Sequence, residues 1–223
     1  MLLNVSPNND ERPRLVGELG ELSRRKVSAS HFRFAQGTEI FGAEEPAEYF
    51  YQVIEGAVRT HKLLSDGRRQ IGAFHLIGDI FGLENGGVHR FNAEAIVNTT
   101  VCFMRRKSLD NVAKTDFAII RSILSMTTAN LKHAENHMLL LGRKTSLERV
   151  AAFLVEMHDR QPLARVIALP MNRRDIADYL GLTVETVSRA LSALRRKGFL
   201  KFLNQTQREI VILNPAGLHR LAG

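Results

Sequence analysis

Two rhythms of apolar and polar positions run along this chain, and the change between them falls near residue 110. From about Val27 to Arg106 the apolar residues come in short β-type runs. Tyr49–Ile54 stops at Glu55-Gly56, Ala57–Leu63 stops at Ser65-Asp66-Gly67, Arg68–His75 follows, and Ala93–Val97 and Thr100–Met104 close the series. Nine glycines between Gly37 and Gly87 punctuate it. Many short strands at near-even spacing predict a sandwich or barrel of jelly-roll type over residues 21–110. Ahead of it, residues 1–20 are polar, with Pro7, Asn8, Asn9, Asp10 and Pro13, the composition of a flexible arm.

Over residues 111–142 the period lengthens, and a helix is expected from about Thr115 to Leu141. Phe117, Ile120, Leu124, Thr127, Leu131, Ala134, Met138 and Leu141 recur at alternating spacings of 3 and 4, a heptad seam. A helix lying on its own barrel also carries an apolar stripe, but a stripe this narrow and sustained favours a partner helix and hence a dimer. A second helix, about Thr145 to Asp159, carries Val150, Phe153, Leu154 and Met157 toward the last segment, 143–223.

Met171–Phe199 reads as two helices joined by a tight turn. Arg173, Asp175, Ile176, Ala177, Tyr179 and Leu180 form an apolar stripe that stops at Gly181. Leu182-Thr183 is the turn, with Thr183 placed to cap the next helix. That helix runs from about Val184 to Lys197, with Val187, Leu191 and Leu194 on one face. Arg195, Arg196 and Lys197 put positive charge at its negative end, and Gly198 ends it. Phe199–Leu203 and Arg208–Leu213 then alternate around Asn204–Gln207, a short hairpin. The whole is α+β: a jelly-roll barrel, a long dimerisation helix and a winged helix-turn-helix.

The candidate chemistry sits on the second helix of that motif. Glu185, Ser188 and Arg189 offer an acceptor, a hydroxyl and a forked donor, the groups that read base edges in a major groove. Arg173, Thr183, Thr186, Arg195, Arg196 and Lys197 are the expected contacts to the DNA backbone, which position a protein without reading sequence. Charge agrees: the net charge is +8, and Arg165–Gly223 holds ten Lys/Arg against four Asp/Glu. A basic surface alone also suits RNA or anionic lipid; here it coincides with a groove-reading motif. No apolar run reaches the roughly 18 residues of a membrane span, and the first residues lack the apolar core of a secretory signal. The single cysteine, Cys102, excludes an intramolecular disulfide and suits a reducing cytoplasm.

This order of parts resembles a Crp/Fnr-family transcription regulator over most of the chain. The resemblance is close at Phe74–Gly82 (FHLIGDIFG), at Leu139–Lys144 (LLLGRK) with Glu148–Phe153 (ERVAAF), and at Asp178–Arg189 (DYLGLTVETVSR). The core formed by Glu185, Ser188 and Arg189 resembles the Fnr and FixK branches. It implies a cyclic-nucleotide-binding-like barrel, a homodimer on an Fnr-like palindrome TTGAT…ATCAA, and activation through contact with RNA polymerase. Cyclic-nucleotide binders of the family use a Gly-Glu pair, then an Arg and a Ser. Here those places read Gly78-Asp79 and Phe91-Asn92, with Arg90 one residue off, and a buried phosphate without its Arg is costly. Fnr holds an iron–sulfur cluster through an N-terminal cysteine group and one internal cysteine; only Cys102, at the internal place, is present. The resemblance is therefore to the FixK-type branch, which implies low-oxygen gene control and nitrogen fixation with no bound cofactor.

Other constellations weigh less. His133 and His137 are four apart on the long helix, but the run His-Ala-Glu-Asn-His has no third ligand nearby, so solvated or hydrogen-bonded histidines are expected. His61, His75 and His89 lack the close spacing of a cupin metal site. No nucleophile triad, phosphate loop or paired acids stand out, so no catalytic or metal residue is assigned and an enzyme is not expected. Two alternatives stay open: a regulator of this fold gated by an unknown small effector, and a cupin-type metal enzyme with a DNA-binding tail.

Overall fold

The computed structural model describes residues 29–84, 87–108, 117–143, 145–161 and 166–223. The arm expected over 1–20 and the expected helix start at 115–116 lie outside the described residues.

Among the described residues, eight strands precede the long helix: β1 (Ala29–Phe34), β2 (Glu39–Phe41), β3 (Tyr49–Glu55), β4 (Val58–Leu63), β5 (Arg69–His75), β6 (Ile80–Phe81), β7 (Asn92–Ala95) and β8 (Thr99–Arg105). They form two four-stranded antiparallel sheets ordered β1-β8-β3-β6 and β2-β7-β4-β5, a jelly roll. Phe41, Tyr51, Val53, Val58, Phe81, Ala93 and Val101 meet between the sheets as the core. The strand expected over Ala93–Val97 starts one residue earlier and ends at Ala95; the Asn92 side chain accepts from the Ala43 amide at 2.8 Å and so ties β7 to the chain after β2. Gly82 shows why glycine is needed at one turn: its φ is +78°, and a Cβ there would come within 2.7 Å of the Tyr51 ring.

The second half is helical: α1 (Phe117–Arg143), α2 (Ser146–Asp159), α3 (Arg173–Leu180), α4 (Val184–Arg196) and α5 (Pro215–Ala222). With them stand three strands, β9 (Ile167–Ala168), β10 (Leu200–Phe202) and β11 (Glu209–Ile212), in the antiparallel order β10-β11-β9. The chain divides into two compact units, residues 1–129 and 130–223, so the boundary falls inside α1. In the second unit α2 buries Val150, Ala151, Phe153, Leu154 and Met157 while packing on α4 and α5. A capping box starts α2: Thr145 Oγ1 accepts from the Glu148 amide, and Glu148 Oε2 accepts from the Thr145 amide at 2.7 Å.

One residue of the expected apolar stripe on α3 is buried for another reason. Asp175 is fully buried because its carboxylate accepts from the Asn172 amide at 3.2 Å, while Asn172 Oδ1 accepts from the Asp175 amide at 2.9 Å. The carboxylate closes a capping box at the positive end of α3, so its charge is satisfied locally.

Candidate nucleic-acid interface

The turn between α3 and α4 is built from two local preferences. Gly181 takes the left-handed conformation, φ +62° and ψ 41°, which stops α3 and lets the Leu182 amide reach the Ala177 carbonyl at 3.0 Å. Thr183 then caps α4 in extended conformation, its Oγ1 accepting from the Thr186 amide at 3.2 Å and lying 3.0 Å from Thr186 Oγ1. Both hydroxyls are thus engaged in the cap itself.

α4 buries Val187, Ala190, Leu191 and Leu194. That rotation leaves Glu185, Ser188 and Arg189 exposed, and their spacing puts all three on one face of its first two turns. The Glu185 carboxyl is held below the usual range by a backbone N–H and then by the Thr183 hydroxyl, so it stays an ionised acceptor. Arg195, Arg196 and Lys197 are exposed at the other end, and Lys197 is the helix C-cap.

The hairpin β10–β11 is the wing, in register Leu200 to Ile212, Lys201 to Val211 and Phe202 to Ile210. Its third strand, β9, was not apparent in the sequence. Arg173 is engaged by the wing. Its Nη2 donates to the Gln207 carbonyl at 3.0 Å and to Gln207 Oε1 at 3.3 Å, and its guanidinium lies 5.8 Å from the Phe202 ring centre. Arg195 lies over the same ring at 5.9 Å. Phe202 and Gln207 carry no sequence signal beyond that of a strand and a turn, and the exposed Arg174, Lys201 and Arg208 none beyond the local excess of positive charge.

Along α1 the seam residues Phe117, Ile120, Leu124, Thr127, Leu131, Ala134 and Met138 are exposed, Phe117 by 83%, Leu131 by 59% and Met138 by 66%. Leu141 departs from the expected seam. It is half-buried and faces its own unit, where its Cδ2 would sit 3.6 Å from a Cβ on Gly181. Leu139, outside the seam, is 54% exposed. His133 and His137 are half-buried against Tyr179, a hydrogen-bonding and stacking role. Among the described residues no group of three or more His, Cys, Asp and Glu is arranged for a metal.

Inside the barrel the positions compared with cyclic-nucleotide binders have other duties. Asp79 Oδ2 accepts from the Leu76 amide at 2.6 Å and closes the β5–β6 turn. The Phe91 ring lies 3.3 Å from where a Gly72 Cβ would stand, and Asn92 makes the Ala43 contact. His89 is buried and stacks on Phe41 at 3.6 Å, with its Nδ1 3.2 Å from Glu84 Oε2. Tyr51 and Phe81 stack beside them at 5.2 Å. Cys102 is fully buried, and burial pushes its thiol up to about 11. No helix among the described residues is long and apolar enough to cross a membrane.

Comparison with known proteins agrees with this arrangement. Residues 148–221 match the Crp-like helix-turn-helix domain family, and residues 31–116 match the cyclic nucleotide-binding domain family. The chain is 41% identical to the nitrogen fixation regulation protein FixK of Rhizobium meliloti, over 84% of this chain and 85% of the relative. It is 38% identical to the transcriptional activatory protein AadR of Rhodopseudomonas palustris, over 93% of this chain and 88% of the relative. The solved structure of FixK2 from Bradyrhizobium japonicum superposes with a TM-score of 0.84 at 57% identity, covering 88% of this chain and 98% of that one.

Proposed function

The chain belongs to the Crp/Fnr family of DNA-binding transcription regulators, and on that premise we propose that it works as a homodimer that reads an Fnr-like palindrome without a small-molecule effector. The observation that carries this reading is the pairing of two exposed surfaces. A capped helix presents Glu185, Ser188 and Arg189 on one face, and α1 presents an apolar seam at heptad spacing. The first is the reading head. The second suits a twin copy, because a row of exposed large apolar side chains is what a coiled-coil partner covers.

Arg189 gives a bidentate pair to guanine O6 and N7, and Glu185 accepts from a cytosine N4, so the two read one G·C pair in each half-site of TTGAT…ATCAA. Thr183, Thr186, Arg195, Arg196 and Lys197 face phosphates, with Arg174, Lys201 and Arg208 adding charge beside them. Arg173 steadies the wing. The ring-filled barrel interior and the turn-closing Asp79 support an effector-independent regulator. The FixK relative, a nitrogen fixation regulation protein, and the AadR relative, a transcriptional activatory protein, support a role as an activator in nitrogen-fixation control; low-oxygen control and contact with RNA polymerase complete the proposal. The protein carries no cofactor in this reading and is not an enzyme.

The test pairs sedimentation with binding to a whole palindrome and to a single half-site. The expected result is a dimer that holds the palindrome far more tightly than the half-site. A monomer that holds both equally overturns it.

A further inference from the structure

Between Asn130 and Arg143, one stretch of α1 carries two surfaces. One side exposes Leu131, Ala134 and Met138 of the seam. Another side turns His133, His137 and the buried Leu140 inward on its own unit. Tyr179 of α3, itself 1% exposed, is what the histidines meet. The Tyr179 ring stacks on His137 with centres 4.1 Å apart and planes 25° apart. Its hydroxyl donates to Glu156 Oε2 of α2 at 3.1 Å and lies 3.4 Å from His133 Nε2. Glu156 Oε1 in turn lies 3.8 Å from His133 Nδ1 and accepts from Arg160 at 3.4 Å. Arg149 of α2 ties the same three helices again, donating to the Leu180 carbonyl at 3.0 Å and to the Leu141 carbonyl at 2.8 Å. Tyr179 stands two residues before Gly181, so its seating passes to α4 through one short turn.

We propose that Tyr179 is a positioning residue that fixes the distance and angle between the two recognition helices of the dimer, and so sets which half-site spacing the protein accepts. This rests on the α1 dimer proposed above. The seam and the seat lie on the same helical stretch, so the placement of α4 relative to the two-fold axis depends on how α3 is held to α1. Directional hydrogen bonds and a ring stack fix an orientation that apolar packing alone lets slide. The selection is sensitive, because one added base pair moves a half-site by roughly 3.4 Å and turns it by about 35°.

The experiment measures binding of the full chain to palindromes with the natural spacer and with one or two base pairs added or removed, alongside sedimentation. Wild type is compared with Tyr179→Phe, Glu156→Ala and His137→Ala. The variants should remain dimers, keep the half-site base preference, and lose roughly tenfold in discrimination between the natural and altered spacers, the worth of one or two net hydrogen bonds. A dimeric wild type with sharp spacing preference, and variants that keep that preference or lose affinity for every spacer equally, overturns the positioning role alone. A wild type that is monomeric or indifferent to spacing overturns the dimer reading and this proposal with it. Should Tyr179→Phe fail to fold, Glu156→Ala on its part-exposed side chain and His137→Ala decide the matter.

Discussion

Arg173 and Gln207, 34 residues apart, are joined where the first residue of α3 meets the tip of the wing: the guanidinium donates to the Gln207 carbonyl at 3.0 Å. Gln207 sits at φ 56°, an uncommon conformation for a residue with a side chain, so the contact holds a turn of some intrinsic strain. Burial, then the nearby Arg208, lowers the Arg173 pKa, though an Arg stays charged throughout the ordinary pH range. Arg173→Ala removes a charge-assisted hydrogen bond, and unfolding should show a loss of about 1–2 kcal/mol. On DNA, protection of phosphates beneath the wing should weaken while the base preference of α4 stays as it was. Unchanged stability together with equal weakening of binding to all sequences would place Arg173 on the DNA backbone instead.

Glu185→Ala and Lys197→Ala should separate reading from attraction. Loss of a good base contact costs roughly 1–3 kcal/mol of discrimination. Competition over every substitution in the half-site should therefore show Glu185→Ala relaxing the preference at one or two base pairs, with non-specific binding near its original level. Lys197→Ala should weaken all sequences about equally and flatten the salt slope by about one ion. Uniform weakening by both variants, with base preference intact, means that the helix docks differently.

The elements that local rules dictate were legible in the sequence. Thr183 as cap, the buried stripe of Val187, Leu191 and Leu194, the stop at Gly181 and the two wing strands all follow from spacing and turn chemistry, and the structure has them. The elements that escaped are short or depend on distant partners. β9 has two residues and exists because β11 offers it an edge, and β2 has three. α5 had readable signals, an Asn214 cap and Pro215 in the first turn, which its eight-residue length obscured. The site followed the same division. Glu185, Ser188 and Arg189 could be placed by helical phase, whereas the contacts of Arg173 with Gln207 and of Leu141 beside Gly181 are made only in the folded chain.

Acid should loosen the DNA-binding unit through His137. Burial, then the neighbouring His133, hold His137 at about 4, below the free imidazole value of 6.5. Tyr179 stacks on His137, and the neighbouring His133 faces Glu156, which also pairs with Arg160. The unfolded chain therefore binds a proton before the folded one does. The stability from neutral His137 is fully present above pH 6.5 and is lost as pH falls toward about 4. The melting temperature should drop over that window, and His137→Phe should flatten the drop. An equal drop in both proteins assigns the acid sensitivity to another group.

Leu131→Glu probes the dimer. Leu131 is 59% exposed in the single chain, so the substitution is harmless to a monomer. In a desolvated seam an unpaired carboxylate costs several kcal/mol. Sedimentation should show monomers and the palindrome complex should vanish, with the circular dichroism unchanged. A mutant that stays dimeric places the interface elsewhere.

Sequence-specific binding that needs no small ligand can be read from a titration of protein purified in air onto a labelled TTGAT…ATCAA duplex and a scrambled one, with and without cyclic AMP, under air and under argon. The same tight binding is expected in all four conditions, stronger than for the scrambled duplex by about a thousandfold or more. Binding that appears only with cyclic AMP, or only without oxygen and with an iron–sulfur chromophore, would contradict it.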